Sequence, residues 1–335
     1  MTDYFKILSP IEKELLQKSS FPDWYKPMLA TLTNERFSDP QWIYEPKYDG
    51  ERALTYYRNG QIKILSRNEH NLNKTYPDLG EAFQGQSADS FIVDGEIVAF
   101  EKNISNFSRL QQRLGVKEIS LKDALKDPVY YYLFDILFLN GFDLRNLPLK
   151  ARQKLLRQGI MCKDPLRLTE GIIKEGVNFY KSACQKGWEG LIAKRLDATY
   201  QARRSPDWLK FKCHRNQELI IIGYTAPKGT REDFGALLVG YYDDKKLHYA
   251  GKVGTGFSRE TLASLKKKMD KHISLKPPVE ERVREQHITW LKPSLVGEFD
   301  FTEWTKNGKL RHPRYKGLRD DKDAKEVVKE EPHEF

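Results

Sequence analysis

A lysine ends a short apolar stretch that is typical of a buried strand, in the sequence IYEPKYDGERA over residues 43–53. Lys47 lies two residues before an aspartate-glycine turn and five before Arg52. At the mouth of a pocket, a lysine that has lost its proton can act as a nucleophile. The K-x-D-G pattern alone arises by chance in roughly one chain in ten of this length, so the rest of the chain must support the idea.

Six further motifs follow Lys47 in a fixed order: SRN at 66–68, VDGEIV at 93–98, YYLFDIL at 131–137, EGLIAK at 189–194, WLKFK at 208–212 and RHPRYKGLRDDK at 311–322. This ordered set resembles the covalent nucleotidyltransferase superfamily. It is most similar to the ATP-dependent DNA ligases, especially the compact ligase domain of bacterial end-joining enzymes. The resemblance spans about residues 25–322. One residue departs from the family pattern: Glu69 stands where the family usually has glycine. This departure bears on the local turn more than on the role of Arg67.

The resemblance implies that Lys47 attacks the α-phosphate of ATP, forming lysyl-AMP and releasing pyrophosphate. A free lysine is almost wholly protonated near neutral pH, so the nucleophile needs activation. By the same similarity, Lys194, Lys210 and Lys212 supply a positive field that favours the neutral amine and stabilises charge on the phosphate. The alternation of WLKFK places Lys210 and Lys212 on one face of a strand, together with Trp208.

Two glutamates sit beside glycines, where backbone can approach a ligand closely. These are Glu96 in VDGEIV and Glu189 in EGLIAK. By similarity they serve the ribose and a divalent cation. Oxygen ligands suit Mg²⁺, or Mn²⁺ in its place, which also binds triphosphate oxygens and waters.

The remaining nucleotide contacts are also assigned by resemblance. Phe134 corresponds to the aromatic residue that stacks on adenine; core packing is the alternative, because tyrosines and leucines flank it. Glu45 would lie near the adenine edge, where its backbone could matter more than its carboxylate. Arg52 and Arg67 match positions that meet the nucleotide or the 5′-phosphate, which a guanidinium fork suits.

The last motif carries Arg319 and Lys322, whose counterparts in the family orient the pyrophosphate leaving group. The resemblance implies that the second domain closes over the nucleotide about a hinge near residues 213–217. Asp49 and Gly50 form the turn after the lysine strand. For Asp135 the sequence leaves two readings open, a structural role and the orientation of a neighbour.

The predicted fold class is α+β. Short β-type runs dominate and are not regularly followed by helices, which disfavours a doubly wound parallel sheet. Helical patterns fall near residues 148–158, 172–186 and 258–272. Residues 1–215 are expected to form an adenylation (nucleotidyltransferase) domain with antiparallel sheets, after a short N-terminal segment. Residues 216–335 are expected to form an OB-fold barrel with an acidic tail, because several short strands surround one helix.

Composition agrees with a polyanionic partner. The 335 residues carry a net charge of +10, and residues 320–335 contribute −4, which leaves +14 on the preceding chain. This surplus favours a polyanionic partner, and the resemblance to DNA ligases implies that this partner is nicked double-stranded DNA. The N-terminus is too polar for a secretory segment and no apolar run approaches the ~18 residues of a membrane span, so an intracellular, cytoplasmic protein is expected. A monomer is also expected. The three cysteines have no CxxC spacing, so reduced thiols are expected.

Two other functions compete with a DNA ligase. An RNA ligase or an mRNA guanylyltransferase would use the same lysine chemistry. The short segment between EGLIAK and WLKFK favours a DNA ligase, because in that family these two motifs are joined in this way. A non-catalytic nucleic-acid-binding module would use the barrel and basic surface alone, and the intact lysine and glutamates argue against it.

Overall fold

The computed structural model describes residues 4–114, 118–227, 233–305 and 307–333. The last two residues of the acidic tail lie outside these ranges. The chain divides into two compact units, the first ending at Cys213 and also including the residues from Glu331, the second comprising His214–Glu330. The boundary expected after residue 215 lies two residues beyond this division.

The first unit contains most of the regular structure among the described residues. Its strands are β1 (Gln17–Lys18), β2 (Leu29–Leu32), β3 (Trp42–Pro46), β4 (Glu51–Arg58), β5 (Gln61–Ser66), β6 (Ser90–Val98), β7 (Phe100–Glu101), β8 (Ile104–Ser105), β9 (Tyr130–Leu139), β10 (Phe142–Asp143), β11 (Leu166–Leu168), β12 (Ile172–Ile173), β13 (Gly190–Arg195) and β14 (Arg204–Lys212). Its helices are α1 (Pro10–Glu14), α2 (Pro77–Ala82), α3 (Phe107–Leu114), α4 (Leu121–Ala124), α5 (Leu149–Gly159) and α6 (Gly176–Gln185), with a 3₁₀ turn at Tyr4–Ile7.

Two sheets of the first unit position the site. One has the strand order β1-β10-β9-β6-β4-β5, with β11 paired to β9, and the other has the order β12-β3-β13-β14-β2. Among the described strands of this unit, only β11 with β9 and β14 with β2 pair in parallel. The central strands β4, β6 and β9 are buried along nearly their whole length, which explains their almost continuous apolar sequences.

The sheet that contains β3 has an apolar back face. Tyr44, Leu191, Leu209 and Phe211 point to this face, where they form a buried cluster with Ala183 of α6. Side chains alternate between the two faces of a strand. The neighbouring residues of β3, β13 and β14 therefore point to the opposite face.

The second unit is built on one sheet. Its strands are β15 (Asn216–Thr225), β16 (Leu237–Asp243), β17 (Lys246–Val253), β18 (Ile273–Ser274), β19 (Ile288–Asp300), β20 (Glu303–Trp304), β21 (Leu310–Arg311) and β22 (Arg314–Leu318), with helix α7 (Arg259–Met269) and 3₁₀ turns at Asp270–His272 and Ala324–Glu326. The main sheet has the order β17-β16-β15-β19-β18, with β22 paired to β19. Apolar clusters that contain alternate residues of β15 lie on its two faces. This content agrees with the short strands and single helix expected from the sequence.

The structure differs in two details from the helix predicted over residues 172–186. The helix expected over 172–186 begins at Gly176, and Ile172–Ile173 instead form edge strand β12 beside β3. A Cβ on Gly176 would lie 2.4 Å from the Tyr44 ring, so this glycine allows α6 to approach the sheet. No helix within the described ranges is long and apolar enough to cross a membrane.

The prediction of reduced cysteines is wrong for two of the three. Cys184 and Cys213 form a disulfide with 5.3 Å between their Cα atoms. Cys184 lies near the end of α6 and Cys213 directly follows β14, and α6 packs on the back face of that sheet. The fold rather than the local spacing therefore brings them together. Cys162 is free, and burial raises the pKa of its thiol to about 11.

Candidate active site

The front face of the sheet that contains β3 carries charged side chains beside the apolar Ile192 and Trp208. In the antiparallel register, Ile192 of β13 lies opposite Glu45 of β3 on one side and Lys210 of β14 on the other. Two residues after Ile192 on β13, Lys194 pairs with Trp208 of β14. Two residues before it, Gly190 pairs with Lys212. One face of one sheet therefore presents the cations and carboxylates of three predicted motifs, IYEPKYDG, EGLIAK and WLKFK.

Lys47 directly follows β3 and is held at the edge of this face. Its backbone N–H donates to the carbonyl of Gly190 at 3.0 Å, and its Nζ donates to Glu189 Oε1. Gly190 has φ +145°, and a Cβ there would lie 1.9 Å from the Phe211 carbonyl oxygen. Only glycine fits this close approach, which sets Glu189 beside the lysine.

The turn after Lys47 is anchored at several points. The Asp49 N–H donates to Ser105 Oγ at 3.0 Å, and Asp49 Oδ2 accepts from the Phe107 N–H, at the first turn of α3, at 3.2 Å. A Cβ on Gly50 would lie 2.2 Å from the Ile97 carbonyl oxygen and 3.0 Å from Glu96 Cγ. The turn thus packs directly against β6 and brings half-exposed Glu96 close to the lysine loop.

A second lysine–glutamate pair lies deeper on the same face. Lys194 Nζ is 2.5 Å from Glu45 Oε2, and both side chains are buried. The ammonium lies 4.0 Å from the centroid of the Phe134 ring and 4.4 Å from that of Trp208. The structure therefore places Lys194 among aromatic rings beside a carboxylate, while Lys210 and Lys212 are half-exposed.

Phe134 is buried on β9 and faces this group of charges. The Arg52 guanidinium lies 4.5 Å from its centroid and forms two hydrogen bonds with Asp94, at 2.5 and 2.6 Å. Tyr200 donates to the same carboxylate at 2.6 Å. Burial, with the Asp94 charge, raises the pKa of Tyr200 well above its usual value, which keeps this hydroxyl a donor. Arg52 is therefore held beside the ring.

Arg67 occupies the loop after β5, and the departure at Glu69 is accommodated there. Glu69 adopts φ +64°, the left-handed conformation that glycine adopts easily. The Glu69 N–H donates to the Ser66 carbonyl at 3.0 Å, and Ser66 Oγ accepts from the N–H groups of Asn68 and His70. The turn forms without glycine.

A cavity of about 450 Å³ opens beside Lys47. Half of its lining residues are aromatic, and one carries a guanidinium: Tyr48, Phe100, Tyr130, Tyr132, Trp188 and Arg167. The Tyr48 and Tyr132 rings lie 4.3 Å apart, and Arg167 Cζ lies 3.8 Å from the centroid of Tyr130. Aromatic faces and a guanidinium are groups that bind nucleobases and phosphates.

The two predicted residues of the last motif have different environments within the second unit. Arg319 is buried and forms two hydrogen bonds with Asp321, at 2.8 and 2.9 Å, and one with Glu298 at 3.3 Å. Burial lowers the pKa of the Arg319 guanidinium, but these carboxylates more than offset it and hold that pKa well above its usual range. Lys322 is more exposed and lies 3.4 Å from Glu218.

Of the two predicted metal ligands, Glu96 lies on β6 and Glu189 directly precedes β13. Within the described ranges no group of three or more histidine, cysteine, aspartate or glutamate side chains could hold a metal ion. Mg²⁺ commonly takes only one or two carboxylates and completes its shell with substrate phosphates and waters. Glu189 and Glu96 fit that donor set, since both are partly exposed near Lys47.

Helix α5 adds two residues that the sequence did not single out. Arg152 is completely buried and forms two hydrogen bonds with the buried Asp135, at 2.8 and 2.9 Å, which gives Asp135 a structural role. The next residue, Gln153, donates to Glu45 Oε1 at 2.7 Å. The signal in the sequence that could have identified these two residues is a charged side chain followed by an amide side chain within an amphipathic helix pattern.

Comparisons with known proteins agree with these motifs. The model of the ATP dependent DNA ligase domain matches residues 27–212, and that of the ATP dependent DNA ligase C terminal region matches residues 230–322. The chain is 35% identical over 328 residues to the multifunctional non-homologous end joining protein LigD of Pseudomonas aeruginosa, covering 94% of this chain and 38% of that protein. It is 33% identical over 346 residues to a DNA ligase of Hyperthermus butylicus, covering 90% and 56%.

A solved structure described as mycobacterial DNA ligase D complexed with ATP and MES is also similar, with a TM-score of 0.63 and 32% identity. The match covers 91% of this chain and 98% of that one. The chain spans about two fifths of the length of the curated end-joining relatives. The predicted fold, an α+β adenylation domain followed by an OB-fold domain, is confirmed. Because the ligase-domain model matches more than half of its length, the chain belongs to the ATP-dependent DNA ligase family.

Proposed function

We propose that this protein is an ATP-dependent DNA ligase that joins 5′-phosphate and 3′-hydroxyl ends in nicked duplex DNA through lysyl-AMP at Lys47. One observation carries the proposal: Lys47 meets Glu189 on the sheet face that also presents Lys210 and Lys212, beside an aromatic cavity. The Pseudomonas and mycobacterial relatives support the assignment by name, and the latter was solved with ATP.

In the first step, the unprotonated Nζ of Lys47 attacks the α-phosphorus of ATP. The nitrogen–phosphorus bond forms while the bond to the β-phosphate oxygen breaks, and pyrophosphate leaves. Glu189 orients Nζ and accepts its proton, since the carboxylate already contacts it. Lys210 and Lys212 stabilise negative charge that develops on the phosphate.

The purine and the ribose are bound by neighbouring residues. Phe134 stacks on the adenine, and the backbone of Glu45 reads its edge, because both carboxylate oxygens of Glu45 already have partners. Arg52 and Arg67 bind the nucleotide or the 5′-phosphate of DNA. Lys194, buried beside Glu45, acts through the shape and charge of the pocket.

Glu96 and Glu189 would hold Mg²⁺ together with triphosphate oxygens, and Glu96 would also contact the ribose. The cation, when bound, neutralises charge on the triphosphate and helps pyrophosphate to leave. Glu189, which contacts the Lys47 amine, would then contact the cation as well. Glu96 is brought towards the lysine loop by the close packing of Gly50.

In the later steps, a 5′-phosphate oxygen of DNA attacks the AMP phosphorus and frees Lys47. The 3′-hydroxyl then attacks the 5′-phosphate and displaces AMP. The net charge of +10 supports binding to duplex phosphates without base reading. End-joining repair is the proposed role, as in the named relatives, with the protein acting as a monomer inside the cell, where DNA is.

Incubation with α-labelled ATP or GTP and Mg²⁺, followed by denaturing electrophoresis, tests this function. We expect label on the protein from ATP and none from GTP, and none from either on Lys47→Ala. Lys63→Ala is the matched control, because Lys63 is an exposed lysine on strand β5 and should keep full labelling. Label on Lys47→Ala would assign the nucleophile to another residue.

The same assay separates the competing functions. Label from GTP would indicate a guanylyltransferase, and no label from either nucleotide would indicate a binding module. Sealing of a nicked RNA duplex in preference to a nicked DNA duplex would indicate an RNA ligase. Sealing of nicked DNA in buffers of rising salt should fall steeply, with a slope that reflects the number of phosphates neutralised.

A further inference from the structure

Gln153 contacts both sheets of the first unit through one amide group. Its Nε2 donates to Glu45 Oε1 on β3 at 2.7 Å and to the Phe134 carbonyl on β9 at 3.4 Å. Gln153 and Glu45 are both buried, with 5% and 2% of their surface exposed. Since β3 and β9 belong to different sheets, this side chain links the lysine strand to the strand that carries the aromatic ring.

The link closes into a ring of contacts. Glu45 Oε2 meets Lys194 Nζ at 2.5 Å, and that ammonium lies over the Phe134 ring. The Phe134 carbonyl in turn accepts from Gln153. Within the described residues Lys194 Nζ makes no contact of hydrogen-bond geometry, so Glu45 and the rings hold it by charge alone. Gln153 is then the group that orients the Glu45 carboxylate.

Burying an amide costs free energy unless its polar atoms are hydrogen-bonded, and an apolar side chain has no such cost. The neighbouring α5 residues Leu155 and Leu156 are apolar and pack in the main core of the unit, so nothing about the helix itself requires a glutamine. Both hydrogen bonds of the amide nitrogen go to residues of the proposed nucleotide pocket, Glu45 on β3 and Phe134 on β9. Its position thus points to the nucleotide pocket rather than to the core.

We infer that Gln153 is a positioning residue that sets the spacing between the strand of Lys47 and the ring of Phe134, and so determines how tightly the adenine base is bound. This inference rests on the proposed function, in which Phe134 stacks on the base. Gln153 itself does not touch the reacting atoms. Its loss should therefore weaken nucleotide binding more than it slows the attack of Lys47.

The test measures transfer of labelled AMP to the protein at varied ATP concentration. Gln153→Met keeps the side-chain length and removes both hydrogen bonds. We expect the KM for ATP to rise about tenfold, as for loss of a buried hydrogen bond to a charged group, with the rate at saturating ATP within about threefold. Gln86→Met is the matched control, because Gln86 exchanges two hydrogen bonds with the Met161 backbone at the surface; its KM should not change.

A second variant gives a signature that a merely structural role lacks. Gln153→Glu puts a second carboxyl beside Glu45, and two adjacent carboxyls share a proton more readily at acid pH. The shared proton restores the donor, so the KM defect relative to wild type should be small at acid pH and should grow as pH rises. The defect of Gln153→Met should be constant across the same pH range.

An unchanged KM in Gln153→Met, with only a lower melting temperature, would overturn the inference. If that variant does not fold, Gln153→Glu decides, and a KM ratio to wild type that is independent of pH would overturn it. Wild-type protein that takes no label from ATP would instead refute the proposed function.

Discussion

Two lysine–glutamate pairs join β3 to β13, and they differ in their contact with water. Lys47 and Glu189, at the edge, have side chains 19% and 14% exposed. Lys194 and Glu45, inside, are each 2% exposed. The two pairs use the same residue types on neighbouring strands, with lysine and glutamate exchanged between them. This difference in solvent exposure distinguishes the pair that is proposed to react from the pair that is proposed to support the pocket.

The physical basis is the cost of removing charges from water. A buried pair has already lost its hydration, so neither partner can leave without stranding the other's charge. A partly exposed pair is screened by water and holds its partners weakly. In the proposed mechanism, Lys47 can therefore leave Glu189 and attack a phosphate, whereas Lys194 stays beside Glu45 and the rings.

The largest expected effect is on Lys47→Arg, which keeps the charge opposite Glu189 and removes the nucleophile. Arginine stays protonated, so it cannot attack a phosphate. AMP transfer should fall to background in the labelling assay, while the free energy of unfolding changes by less than about 1 kcal/mol.

A nick that already carries 5′-AMP is the internal control for this variant. The last step needs no attack by Lys47, so Lys47→Arg should still seal that substrate. Loss of this sealing as well would mean that the residue also binds DNA or supports the fold, and the contrast between the two pairs would be weakened.

The next largest effect is expected for the buried pair. Lys194→Met leaves the Glu45 charge without its partner, which should lower the free energy of unfolding by about 3–5 kcal/mol. Urea denaturation followed by tryptophan fluorescence measures this change. Adding Glu45→Gln removes the stranded charge and keeps an acceptor for Gln153, so the double variant should regain at least half of the loss. A double variant no more stable than Lys194→Met would contradict the account.

The four residues of the two pairs could be singled out from the sequence, but not their pairing or their difference in exposure. Spacing along strands places Lys210, Lys212 and Trp208 on one face, because a strand has a period of two. Burial of Lys194 depends on Phe134 from another sheet, which no local pattern reveals. The sequence-based expectation of a phosphate-facing Lys194 therefore missed its aromatic surroundings.

Long-range contacts are also why other features escaped prediction. The bond between Cys184 and Cys213 joins residues 29 positions apart, through the packing of α6 on the sheet. Gln153 contacts residues 108 and 19 positions away. In contrast, β3 to β6 and β9 were predictable, because their apolar runs and turns are local signals.

The disulfide should matter for both pairs together, because the segment that it closes contains Glu189 and Lys194. Closing a loop of this length should stabilise the first unit by roughly 3.5 kcal/mol. Thermal unfolding with and without reductant measures this, and Cys213→Ser should have the melting temperature of the reduced wild type. Cys162→Ser is the control and should respond to reductant as wild type does. Equal sensitivity to reductant in Cys213→Ser would assign the effect to another group.

The smallest expected effect tests whether the same contrast holds in the second unit. Lys322 is 18% exposed beside Glu218, like Lys47, whereas Arg319 is 9% exposed between Asp321 and Glu298, like Lys194. Sequence similarity treats the two cations alike, as ligands of pyrophosphate. The structure separates them, since the Arg319 guanidinium is committed to two carboxylates and Lys322 is accessible.

Lys322→Ala should slow AMP transfer to Lys47 by about 100-fold, as for loss of one group that stabilises transition-state charge, and should spare sealing of a pre-adenylated nick. Arg319→Ala should instead destabilise the second unit, because Asp321 loses its buried partner.

Lys316→Ala is the control, because Lys316 is an exposed lysine of the same motif; this substitution should change neither step. Single-turnover assays of the two steps, with melting curves, decide between these roles. Equal losses in both steps for Lys322→Ala would show that this lysine serves DNA binding, and exposure would then not distinguish reactive from structural cations in this unit.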